Sequence, residues 1–130
     1  MRGNHWWQAG IVAALLVGTL LMAGCPPPGG RVGGTMTVGS VASGTLVVPH
    51  QRVRYNLAIT YPQTVTIYVA GHGLDPMVRL IQVGGGVLGV NDDGGGGLNA
   101  QLVMTLMPGN YTIEVFGFGA STGAYTLTVR

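Results

Sequence analysis

Between residues 52 and 59 the chain alternates without a break, with Val53, Tyr55, Leu57 and Ile59 on one parity and Arg52, Arg54, Asn56 and Ala58 on the other. Only an extended strand sends successive side chains to opposite faces, so the segment predicts a strand with one buried and one wet side. The period returns over residues 63–70, where Val65, Ile67 and Val69 share one parity and Thr64, Thr66 and Tyr68 the other. It recurs over 77–82, 87–90, 100–106, 110–116 and 122–129, and Tyr61-Pro62, two glycine runs and Pro108-Gly109 mark turns between segments. Short strands at this spacing predict an all-β domain, two sheets packed face to face as a β-sandwich. No segment after the first 25 residues carries helical spacing with caps, so almost no helix is expected there.

Composition supports the same reading. Glycine occurs 24 times and proline 7 times, which favours tight turns over long helices. Charged residues make up 8% of the chain, against roughly 25% in ordinary soluble domains, and lysine is absent. Beyond the leader, Arg31, Arg52, Arg54, Arg79 and Arg130 face Asp75, Asp92, Asp93 and Glu114, a net +1. Five scattered arginines do not make the dense basic face of a nucleic-acid binder, so no nucleic-acid partner is expected.

The single cysteine, Cys25, rules out an intrachain disulfide and stands at a sharp boundary. Before it come Arg2, an apolar run from Ala9 to Leu21 and then Met22-Ala23-Gly24; after it comes Pro26-Pro27-Pro28-Gly29-Gly30. A basic start, a short apolar stretch and small residues before a cut site are the parts of a secretory signal, expected to be helical. The apolar run is too short for a bilayer core that takes roughly 20 helical residues. Leu21-Met22-Ala23-Gly24-Cys25 resembles the lipobox of bacterial lipoproteins, with Met22 where leucine is commoner. The resemblance implies cleavage before Cys25 and its acylation by chains such as palmitate, each buried methylene contributing about 0.8 kcal/mol to membrane attachment. An ordinary signal peptide, leaving Cys25 as a free thiol, is the alternative. The expected organisation is therefore a signal peptide over 1–24, a Pro/Gly-rich linker over 25–34 and a β-domain over 35–130.

Within that domain the order Gly44-Thr45-Leu46, Tyr55-Asn56-Leu57, Leu74-Asp75-Pro76-Met77-Val78-Arg79-Leu80, Asn91-Asp92-Asp93, Pro108-Gly109-Asn110-Tyr111 and Gly123-Ala124-Tyr125-Thr126-Leu127 resembles the bacterial pre-peptidase C-terminal domain. The resemblance implies a sandwich of jelly-roll type, and an accessory rather than catalytic role. Members of that family accompany secreted peptidases and other surface proteins, and some bind collagen or calcium.

Candidate chemistry is sparse. Asp75, Asp92 and Asp93 can supply oxygen ligands to Ca²⁺, although their spacing matches no EF-hand loop. Asx-type turn chemistry explains the same residues without a metal. His50 and His72 lie in no frame that would activate a nucleophile, and with Cys25 at the leader boundary they make no zinc set. The glycine runs at 84–86 and 94–97 lack the lysine and following helix of a phosphate loop. Tyr111 and Tyr125 read as core residues with a polar tip. Tyr61, Tyr68, Phe116 and Phe118 fall on turns or outward parities and are the candidates for a binding surface. The expected function is a non-catalytic, lipid-anchored module of the bacterial cell envelope, at the outer membrane in the first instance. It would meet the membrane through its anchor and engage an envelope protein or extracellular polymer. The alternative is a structural or calcium-stabilised envelope component.

Overall fold

The computed structural model describes residues 30–130, which form nine strands and no helix: β1 (Arg31–Met36), β2 (Val41–Leu46), β3 (Arg52–Ile59), β4 (Gln63–His72), β5 (Pro76–Gln82), β6 (Val87–Asn91), β7 (Ala100–Leu106), β8 (Gly109–Gly117) and β9 (Gly123–Val129). They divide into a five-stranded sheet, β1-β3-β8-β5-β6, and a four-stranded sheet, β2-β9-β4-β7. From β2 onward the antiparallel partners nest, β2 with β9, β3 with β8, β4 with β7 and β5 with β6. A long hairpin folded over on itself gives this order, and it is the winding of a jelly roll. β1 is added at the edge, parallel to β3.

The parity read from the sequence becomes the layering of the molecule. Val53, Tyr55, Leu57, Val78, Leu80, Ile113 and Val115 of one sheet meet Val65, Ile67, Val69, Leu102, Leu127 and Val129 of the other in a single core. Each buried Val, Leu or Ile contributes roughly 1.5–3 kcal/mol, so this interior is what holds the sheets together. The expected core tyrosines find partners for their tips. The Tyr111 hydroxyl donates to the Met107 carbonyl at 2.7 Å, and the Tyr125 hydroxyl meets that of Tyr55 at 2.7 Å across the two sheets. The 84–86 glycines close a tight hairpin in which Gln82 and Gly86, and Gly85 and Gln82, are joined through their backbones.

Two features differ from expectation. Residues 31–34, assigned above to the linker, belong to β1, whose register slips between Val32 and Gly34 to leave a bulge at Gly33. β2 was not marked by alternation either. Both strands are rich in Gly, Ser and Thr and bury only Met36 and Leu46 fully, so neither carries the hydrophobic period that reveals the others. Residues 1–29, including the expected signal peptide and Cys25, lie outside the described residues.

Candidate functional site on the five-stranded sheet

The alternation that buries Val53, Tyr55, Ile113 and Val115 sends Arg52, Arg54, Glu114 and Phe116 to the outer face of the five-stranded sheet. Register decides which of them meet. Glu114 stands directly opposite Arg54 on one side and Arg79 on the other, and in the next row Phe116 lies between Arg52 and Met77. Directly opposed residues on one face are about 5 Å apart at Cβ, close enough for long side chains to converge.

They converge on Glu114. Arg52 Nη1 donates to Oε1 at 2.7 Å and Arg54 Nε to Oε2 at 2.8 Å, while Arg79 Nη2 also donates to Oε1. The guanidinium groups cover the carboxylate so fully that Glu114 is 0% exposed on a face otherwise open to solvent. Burial alone pushes its carboxyl upward, but hydrogen bonds from Arg54, Arg79 and Arg52, with the Arg79 charge, outweigh that and hold it below the usual range. The Arg52 guanidinium also stacks on Phe116, 4.3 Å from the ring centroid, with that of Arg79 at 5.7 Å. Such contacts contribute about 0.5–1 kcal/mol at exposed sites. One carboxylate among three guanidinium groups leaves the patch with a surplus of two positive charges. Beside it runs a groove of about 220 Å³ lined by His50, Arg52, Met77, Phe116, Gly117 and Gly119.

The cluster gives stability a pH dependence of definite sign. A carboxyl whose pKa is lower in the folded state stabilises above its ordinary value, 4.5 for Glu114, and that contribution is lost as pH falls through the folded value. Asp75 is shifted the other way and acts in the opposite sense, favouring the folded state below its ordinary value and losing that effect as pH rises. The melting temperature is expected to fall on acidification below pH 4.5, and a Glu114→Gln variant should lack that limb. An unchanged acid limb in the variant would show that other carboxyls set it.

The other expected residues are dispersed. Asp75 precedes β5 and Asp92 and Asp93 follow β6; burial first, then the charges of Asp93 and Asp92, push the Asp75 carboxyl upward. Its Oδ1 is buried without a hydrogen-bond partner among the described residues, while its backbone N–H donates to Ser121 Oγ at 2.9 Å and its carbonyl accepts from the Phe118 N–H at 2.8 Å. Among the described residues no group of three or more His, Cys, Asp or Glu side chains is arranged to hold a metal ion. The Asx role in the following turn falls to Asn91, whose Oδ1 accepts from the backbone N–H groups of Gly94 and Gln101. His72 is exposed and within 3.2 Å of Thr126 Oγ1, away from His50 in the groove.

The four aromatic candidates do not form one patch. Phe116 belongs to the arginine face, whereas Tyr68 lies on the outer face of the four-stranded sheet, where its hydroxyl accepts from Asn99 Nδ2 at 2.8 Å. Tyr61 is exposed in the β3–β4 turn and Phe118 in the β8–β9 connection. Neither Glu114 nor the arginines belong to a local motif, and along the sequence the arginines are scattered. The available signal was parity: Arg52, Arg54 and Arg79 share the outward register of their strands, and Glu114 that of Phe116.

No protein-family model matches this sequence, and no curated protein matches it. Likeness to solved structures is extensive. The pre-peptidase C-terminal domain of a collagenase from Bacillus anthracis aligns with a TM-score of 0.68 at 16% identity, over 82% of this chain and 99% of that one. A periplasmic inhibitor of g-type lysozyme from Aeromonas hydrophila aligns at 0.55 and 17% identity, over 78% of this chain and 99% of that one. The Yersinia pseudotuberculosis-derived mitogen aligns at 0.54 and 15% identity, over 71% and 86% respectively. At such identities the shared property is the fold, an all-β sandwich used for more than one purpose.

Proposed function

We propose that this chain is a non-catalytic interaction module of the bacterial cell envelope, held to a membrane, the outer one in a two-membrane cell, by acyl chains on Cys25. It presents the outer face of its five-stranded sheet to an anionic envelope protein or extracellular polymer. The observation that carries the binding role is the Glu114 cluster. A sandwich does not need three guanidinium groups gathered on one carboxylate to be stable, since exposed ion pairs contribute only about 0–1 kcal/mol each and ordinary polar side chains serve on a solvent-facing sheet. What the arrangement does provide is a rigid, surplus-positive surface with Phe116 and an apolar groove beside it. Arginine held in this way pairs readily with carboxylate, sulfate or phosphate groups. The accessory-domain resemblance and the sandwich shared with a collagenase-associated domain support a module that binds rather than reacts.

The test of the surface is binding of the mature chain to immobilised poly-L-glutamate, dextran and poly-L-lysine. Binding is expected to poly-L-glutamate alone, weakening with salt as screening sets in over a Debye length of about 10 Å at 0.1 M. Arg54→Gln, whose parent side chain is 53% exposed, is expected to weaken it at least about fivefold, a loss of about 1 kcal/mol. Equal binding to the neutral polymer, or an unaffected variant, contradicts the reading. For the anchor, the mass of the mature amino terminus should correspond to an acylated Cys25; an unmodified cysteine or an intact Met1 contradicts it.

The second reading, a calcium-stabilised structural component, draws on Asp75, whose buried Oδ1 has no hydrogen-bond partner among the described residues and which the charges of Asp93 and Asp92 reach. It requires a higher melting temperature in millimolar Ca²⁺ than in chelator, and identical temperatures remove it.

A further inference from the structure

We infer that the cleft between the edge strands β1 and β2 is a second binding site, for a small ligand carrying a carboxylate. β1 ends the five-stranded sheet and β2 the four-stranded sheet, and between them the sandwich holds a cavity of about 310 Å³ reaching Tyr55 and Tyr125. Small-molecule pockets start at about this size, roughly 300 Å³.

Two glycines make room for the tyrosines that line the cleft. A Cβ on Gly33, the bulged residue of β1, would lie 2.4 Å from the Tyr55 ring, and one on Gly44 would lie 2.5 Å from the Tyr125 hydroxyl. Each tyrosine therefore reaches over a glycine of the neighbouring edge strand, and the two hydroxyls meet 2.7 Å apart where the sheets face each other. Any larger residue at either position would displace a ring and fill the space.

The chemistry of the lining selects the ligand. In the tyrosine pair one hydroxyl donates and the other accepts, so one phenolic proton is left without a protein acceptor among the described residues. Arg31 lines the same cleft, makes no ion pair among the described residues, and its charge reaches Tyr125, opposing the effect of burial on that hydroxyl. Among the described residues no acidic side chain lines the cavity. A guanidinium at the exposed side and an O–H donor at the buried side, with no competing carboxylate, match a ligand that brings its own.

The experiment is an amide-resolved NMR titration of the mature chain with N-acetylglycine and, in parallel, with its uncharged analogue N-acetylglycinamide. N-acetylglycine is expected to shift the amides of Gly33, Gly44 and Tyr125 saturably in the millimolar range, with the analogue at least tenfold weaker. Arg31→Gln, at an exposed position, should weaken binding at least tenfold. Arg54→Gln, on the other face, should leave it unchanged. Absence of saturable shifts, equal response to the uncharged analogue, or an unaffected Arg31→Gln variant overturns the inference. The amides of Arg54, Glu114 and Arg79 report separately on the arginine face, so failure of the cleft and failure of that face are distinguishable in the same titration.

Discussion

Replacing Glu114 with alanine is expected to destabilise the domain by about 2–3 kcal/mol, lowering its melting temperature by roughly 10–20 °C. The carboxylate is fully covered and accepts from three guanidinium groups, so its removal leaves like charges facing one another with no acceptor between them. The arginine side chains remain 36%, 53% and 27% exposed and recover part of their hydration, which keeps the loss below the 3–5 kcal/mol expected, roughly, for a wholly buried pair. Glu114→Gln keeps the shape and removes the charge, so it should be less damaging at neutral pH and close to wild type at acid pH. Thermal denaturation of the three proteins between pH 7 and pH 3 checks this. Equal stability of Glu114→Ala and wild type at pH 7 would mean that the cluster does not hold the face together.

Ile113→Ala is expected to cost about 3–4 kcal/mol, within the range for large-to-small changes at fully buried sites. Ile113 is adjacent to Glu114 on the central strand of the five-stranded sheet and points the opposite way, into the core, where it is 0% exposed. Since β8 is hydrogen-bonded on both sides, to β3 and β5, its backbone has little room to collapse into the cavity left behind. The two neighbouring substitutions should differ in kind. The loss at residue 113 should be the same across the acid range, because no titrating group is removed, whereas that at residue 114 should vanish as pH falls. Denaturant midpoints at two pH values separate them, and a loss under about 1 kcal/mol for Ile113→Ala would mean that this part of the core repacks.

The contrast between these residues also marks how far the sequence could be read. Parity is local, so Val53, Tyr55, Leu57 and Ile59 could be assigned to the interior and Arg52 and Arg54 to the exterior from eight residues alone. β1 and β2 have no signature in the sequence because a strand at a sheet edge, rich in Gly, Ser and Thr, has too few apolar positions to show a period. Which outward residues become neighbours depends on strand order and register, and both are settled by contacts between segments far apart in the chain. Arg54 and Glu114 are separated by 60 residues, and Tyr55 and Tyr125 by 70, so neither the buried carboxylate nor the hydroxyl pair had a local signature. The same limit explains the aromatic candidates. Tyr68 and Phe116 share an outward parity, but the sheet to which each belongs was invisible, and they fall on opposite sides of the molecule.

The most direct test of the account is to map where poly-L-glutamate touches the mature chain, by amide chemical-shift changes at low salt. The predicted footprint covers the outward residues of β3, β8 and β5, centred on Arg54, Glu114 and Arg79, and extends to Phe116 and Met77 beside the groove. It should disappear in an Arg52→Gln, Arg54→Gln double variant. A footprint on β4 and β9 around Tyr68 and Arg130, or shifts that persist in the double variant, would contradict the claim that the five-stranded sheet is the binding face.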